Sequence, residues 1–101
     1  SLHCLLRLLH LKCRDPGAVT LLRGNHESRN EGHRATQFER ECRMVGREVF
    51  TQCCRVFSVL PLAAVHLRAG IFAAHGGIGP NLVYTGQIAS LRKPMPMIPM
   101  H

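Results

Sequence analysis

Aspartate occurs once in these 101 residues, at Asp15 inside an Asp-Pro-Gly turn, so any metal chemistry here lacks aspartate ligands. Long apolar runs are also missing. None reaches the ~18–20 residues of a membrane span, and no membrane partner is expected. One tyrosine and four phenylalanines are too few, and too poorly interleaved with basic residues, to stack bases. The cysteines at 4, 13, 42, 53 and 54 form no Cys-x-x-Cys pair, and the neighbours Cys53 and Cys54 do not bridge each other. Cys4, His10 and Cys13 lack the second ligand pair that zinc needs. The thiols read as buried, reduced residues of an intracellular protein, with Cys13 on the apolar stripe of the first helix. There is neither an initiator methionine nor a secretory signal, since Ser1 opens directly onto an amphipathic pattern. That abrupt start reads as a chain cut into a larger fold.

A hydrophobic content of 46% excludes a disordered tail. The length corresponds to one domain or part of one, and a chain of this size buries only about 60–70% of its unfolded surface. The net charge is +7, from 13 lysines and arginines against 6 acidic residues. These positives are spread singly from Arg7 onward, and only Arg92 and Lys93 are adjacent. A dispersed charge without aromatic interleaving predicts no nucleic-acid partner.

Leu2, Leu5, Leu6, Leu9 and Cys13 recur at helical spacing, with His3, Arg7, His10 and Arg14 opposite, which predicts an amphipathic helix. Asp15-Pro16-Gly17 stops it. Residues 18–23 form a short, partly β-branched apolar run that predicts a buried strand, followed by a loop over 24–32. A helix is expected over 36–47 with Phe38, Cys42 and Val45 facing inward. Another is expected over 49–60, with Val49, Cys53, Val56, Phe57 and Leu60 on one stripe and Pro61 ending it. Residues 62–67 and 71–74 read as two strands joined by a tight hairpin at Arg68-Ala69-Gly70. Gly76-Gly77 and Pro80 make an irregular loop, 87–91 is helical, and the proline-rich tail from Pro94 is extended. No internal repeat or domain boundary interrupts the chain.

The chemistry gathers at two loops. Leu21-Leu22-Arg23-Gly24-Asn25-His26-Glu27-Ser28-Arg29 ends an apolar segment in a glycine, where the backbone turns sharply and a side chain would clash. Asn25 offers a neutral oxygen ligand for a divalent cation, and His26 a proton donor near neutral pH. His75, alone, is an ordinary histidine before a Gly-Gly turn. This stretch resembles the Gly-Asn-His-Glu signature of the metal-dependent serine/threonine phosphoprotein phosphatases, the calcineurin-like metallophosphoesterases. Phe57-Ser58-Val59-Leu60-Pro61-Leu62-Ala63-Ala64 is similar to that family's lead into a core strand. Ile71-Phe72-Ala73-Ala74-His75-Gly76-Gly77-Ile78-Gly79-Pro80 is similar to its His-Gly-Gly segment. The blocks follow the family's order and spacing from Ser1 to about Pro99, and the stretch 36–60 looks nearest the calcineurin branch.

The resemblance implies an α/β fold, part of a metallophosphoesterase β-sandwich flanked by helices, with the chain 1–101 forming the central part of a catalytic domain. It implies hydrolysis of phosphoserine and phosphothreonine with two divalent metals, manganese or iron and zinc, which sit about 3.5–4 Å apart in two-metal sites. By the same resemblance, Asn25 and His75 match ligands of one metal, and His26 matches the acid that protonates the leaving oxygen. Glu27 is expected to orient its neighbours. Phosphoprotein substrates and regulatory subunits are the implied partners. The family's motifs carrying the aspartates, one phosphate-binding arginine and further metal ligands would precede Ser1. Another histidine and arginine would follow His101. Two neutral ligands without a carboxylate hold a divalent metal poorly, so this chain alone is expected to be inactive. Two alternatives stand beside the enzyme: an inactive remnant serving as a binding piece, and an unrelated small basic interaction protein. Gly79 replaces the family's usual serine, the segment after Arg29 lacks its aromatic run, and Arg92-Lys93-Pro94-Met95-Pro96 follows its pattern only loosely.

Overall fold

The computed structural model describes residues 1–28 and 36–95. The expectations for the segment after Ser28, for His33 and for the tail beyond Met95 lie outside the described residues.

The first helix, α1 (Leu2–Arg14), starts where the Ser1 hydroxyl accepts the Cys4 amide at 3.4 Å. It ends where the Asp15 amide closes onto the Leu11 carbonyl. The Lys12 ammonium donates to the carbonyls of Pro16 and Val19, both at 2.7 Å, and holds the chain as it turns away. Helix α2 (Gln37–Val45) is capped by the Thr36 hydroxyl, which accepts from the Glu39 amide at 3.1 Å. Glu39 is itself buried and takes the Arg43 guanidinium at 2.6 Å. Helix α3 (Val49–Val59) stops as expected before Pro61.

The core lies where these three helices meet. Leu2, Cys42, Cys53 and Phe57 are buried there, with Leu5, Phe38, Val49, Phe50 and Leu60 packed around them. Phe38 stands with its ring 6.2 Å from Phe50 and 5.7 Å from Phe57, within the range of tilted aromatic pairs. The Leu2 amide donates to the Glu41 carboxylate at 2.9 Å and ties α1 to α2. Four residues expected inside are exposed: Cys4, Leu6, Cys13 and Val45. Cys13 and Val45 occupy the correct helical azimuth but the far end of their helix, while Cys4 and Leu6 lie on α1 outside the core cluster. The core takes only Leu2 and Leu5 from α1, with Phe38 and Cys42 from α2.

The hairpin forms with β1 (Ala63–His66) antiparallel to β2 (Ile71–Ala74), in the register Ala63 to Ala74 through His66 to Ile71. Gly70 takes φ +63° in the connecting turn, a left-handed conformation that suits glycine. The expected strand over 18–23 is absent. Val19, Leu21 and Leu22 are half-buried, but no strand among the described residues pairs with them. The Arg23 amide bonds to the Pro61 carbonyl at 2.8 Å, and this contact makes no ladder. A short helix, α4 (Gly86–Ala89), begins one residue earlier than expected. The Gln87 side chain braces its approach by accepting the amides of Val83 and Tyr84. Helices around one small antiparallel sheet are the α/β class expected. No helix among the described residues is long and apolar enough to cross a membrane.

Candidate active site

Asn25, His26 and Glu27 form a single 3₁₀ turn directly after Gly24, packed against α3. Glu27 folds back so that its carboxylate accepts the Gly24 amide at 2.8 Å, closing the turn on itself. Glu27 therefore shapes the turn, as expected. The Gly24 backbone is extended, with φ −96°, so a larger residue meets no torsional barrier there. The demand is for space. A Cβ at position 24 would lie 2.7 Å from the Glu27 carboxylate and 3.1–3.2 Å from the His75 ring.

His75 arrives from the end of β2. Its Nε2 stands 3.1 Å from the Asn25 Oδ1, so the fold joins two side chains fifty positions apart. When Nε2 is protonated it donates to the amide oxygen. When it is not, two lone pairs face each other across this gap, an arrangement that a cation relieves. Both atoms are accepted ligands of divalent metals, and their separation suits neighbouring positions in one coordination sphere. The donor set thus fits part of a metal site. Among the described residues no group of three or more His, Cys, Asp or Glu side chains converges to complete one. His26 sits between Asn25 and Glu27, exposed to solvent and without a hydrogen bond to either Asn25 or His75.

Arg23 has a place in this site to which the sequence reading assigned no role. It is 7% exposed. Its Nε donates to the Glu27 carbonyl at 3.1 Å, and one terminal nitrogen donates to the Met95 carbonyl at 3.1 Å. The other terminal nitrogen is buried without a partner among the described residues. The available signal was an arginine ending an apolar run immediately before a glycine. A buried guanidinium held by carbonyls makes Arg23 the strut of the 25–27 turn. His3 and His10 are exposed on α1, and the His66 Nδ1 accepts the Ala69 amide in the hairpin turn. All three lie outside the site.

A family profile of the calcineurin-like phosphoesterases matches residues 1–100. The chain belongs to the calcineurin-like phosphoesterase family. Within this family it is similar to the serine/threonine-protein phosphatase 2B catalytic subunit A1 of Saccharomyces cerevisiae, at 41% identity over 81% of this chain and 15% of that protein. It is similar to the phosphatase 6 catalytic subunit of Drosophila melanogaster at 37% identity, covering 90% of this chain and 30% of the relative. The Saccharomyces cerevisiae phosphatase 4 catalytic subunit gives 36% identity over 90% of this chain and 30% of its own length. This phosphoesterase chain thus spans less than a third of each of these relatives. No solved structure matches it. Divalent metals are implied by the family.

Proposed function

We propose that this chain is the central part of a protein serine/threonine phosphatase catalytic domain. Asn25 and His75 are ligands of one metal of a two-metal centre, manganese or iron and zinc, and His26 is the general acid. The observation that carries this reading is the 3.1 Å approach of the Asn25 oxygen to the His75 nitrogen, in a member of the phosphoesterase family. When bound, the metals supply charge neutralisation for the phosphoryl oxygens and a more acidic water. The chain's own residues do the rest. Asn25 and His75 hold their metal from two separate loops, Glu27 and Arg23 fix the turn that presents Asn25, and His26 delivers a proton to the departing serine or threonine oxygen. Phosphoproteins are the substrates, regulatory subunits the partners, and the cell interior the location. The missing carboxylates come from other parts of the domain, so the chain by itself is inactive.

The test uses a chain extended upstream by the Gly-Asp-x-His-Gly and Asp-Arg-Gly motifs and downstream by the remaining ligands. Asn25→Ala should lower metal content, because it deletes a ligand oxygen. His26→Ala should keep its metal yet slow a phosphoserine peptide by about 10²–10⁴-fold, the usual worth of a positioned acid. The deficit should shrink on nitrophenyl phosphate, whose leaving group departs without a proton. Equal losses on both substrates, or metal loss in His26→Ala, would remove His26 from the role of acid.

A further inference from the structure

Two thiols meet in the centre of the core, and nothing in the phosphatase reading uses them. Cys42, in the middle of α2, is fully buried, and Cys53 on α3 is 7% exposed. Both belong to the buried cluster where α2 packs against α3, so the two thiols are neighbours across the helix pair. The other cysteines are placed differently. Cys4 and Cys13 are exposed on α1, and Cys54 is rotated about 100° from Cys53 around α3.

We propose that Cys42 and Cys53 are a modification site, closing under hydrogen peroxide to an intramolecular disulfide that joins α2 to α3. In the first step a thiol sulfur attacks the peroxide, giving a sulfenic acid and one water. In the second, the partner thiol displaces the hydroxyl as a second water, and the S–S bond forms. Both sulfurs are oxidised, the peroxide is reduced, and the two thiol protons leave in the waters. Cys42 is the first to react. Burial raises both thiols, but Cys53, further raised by Cys42 to about 11, is the poorer thiolate. The neighbouring Cys53 side chain, by contrast, lowers Cys42.

Burial also sets the speed. The core excludes the oxidant, so reaction waits for a transient parting of the helices, and it is slow beside that of exposed Cys4 and Cys13. Once formed, the bond ties α2 to α3, the helix against which the 25–27 turn packs. This inference does not depend on phosphatase activity.

The full chain is treated with hydrogen peroxide in native buffer, blocked with N-ethylmaleimide, digested without reductant, and mapped by mass spectrometry. A Cys54→Ser variant is run in parallel, because the tryptic peptide 48–55 carries both Cys53 and Cys54. The expected product in both proteins is a peptide containing Cys42 linked to that segment within one chain, released by dithiothreitol. A variant with Cys4, Cys13 and Cys54 all changed to serine should still form it. Loss of the linkage in Cys54→Ser would overturn the proposal. So would its appearance only in unfolding urea, or over-oxidation or full retention of the Cys42 and Cys53 thiols.

Discussion

One methyl group at Gly24 probes the site without removing any of its functional atoms. Alanine there places a carbon 2.7 Å from the Glu27 carboxylate, which can swing aside, and 3.1–3.2 Å from the His75 ring, which must shift by a few tenths of an ångström. The Glu27–Gly24 hydrogen bond is the first casualty. Because a carboxylate accepts it, its loss should cost about 1.5–3 kcal/mol. Gly24→Ala should therefore lower the urea midpoint of the chain and, in the extended domain, weaken metal binding while Asn25 and His75 remain present. Unchanged stability and metal affinity would mean that the close packing around Gly24 plays no part in holding the pair. Arg23 works at the same scale. It links the turn to Met95, so the site is held by a buried cation as well as by its ligands.

At the scale of elements, α2 depends on its ends because its surface is strongly polar. The Thr36 hydroxyl meets the Glu39 amide, and Glu39 in turn holds Arg43 one turn on, so cap and ion pair share one residue. Thr36→Ala should destabilise the chain by about 0.5–2 kcal/mol, read as a shift of the urea midpoint without a change of slope. Thr36→Ser should recover most of it. A full loss in the serine variant would point to packing of the threonine methyl instead. Helix α3 connects core to site, burying Cys53 and Phe57 on one side while the 25–27 turn packs against it. Strand β2 supplies the second half by carrying His75 off its end.

The whole molecule exposes more surface than its mass warrants. Its accessible area is 8126 Å², against about 5,700 Å² for a folded monomer of 11.3 kDa. The radius of gyration is 15.0 Å, where about 13 Å is usual for 100 residues. Large apolar side chains lie in that surface: Leu67 is 88% exposed and Val83 82%, and Ile71, Ile78 and Tyr84 are exposed as well. Among the described residues the two-stranded sheet also has unpaired edges, which invite pairing with other chains. The purified chain should therefore elute from gel filtration as associated species at micromolar concentration. It should also give no manganese-dependent hydrolysis of a phosphoserine peptide above an Asn25→Ala control. A monodisperse, active monomer would contradict both the proposed division of the domain and the missing-ligand argument.

By itself the sequence determined the three long helices, the hairpin with its glycine turn, and the motif order that marks the family. All of these rest on local periodicity, capping and turn chemistry, which act over a few neighbouring residues. Tertiary structure decided what neighbours decide. Cys13 and Val45 carry the right azimuth for burial, yet the core does not reach their ends of α1 and α2. The run 18–23 has a strand's composition but no partner to pair with among the described residues, and a strand exists only through its ladder. Arg23 and Glu39 are charged yet buried, Arg23 held by the carbonyls of Glu27 and Met95 and Glu39 by Arg43, partners that only the fold brings to them. The approach of Asn25 to His75, and of Cys42 to Cys53, arises from chain segments that meet only after α3 and the hairpin have packed, so sequence spacing alone carries no distance for either.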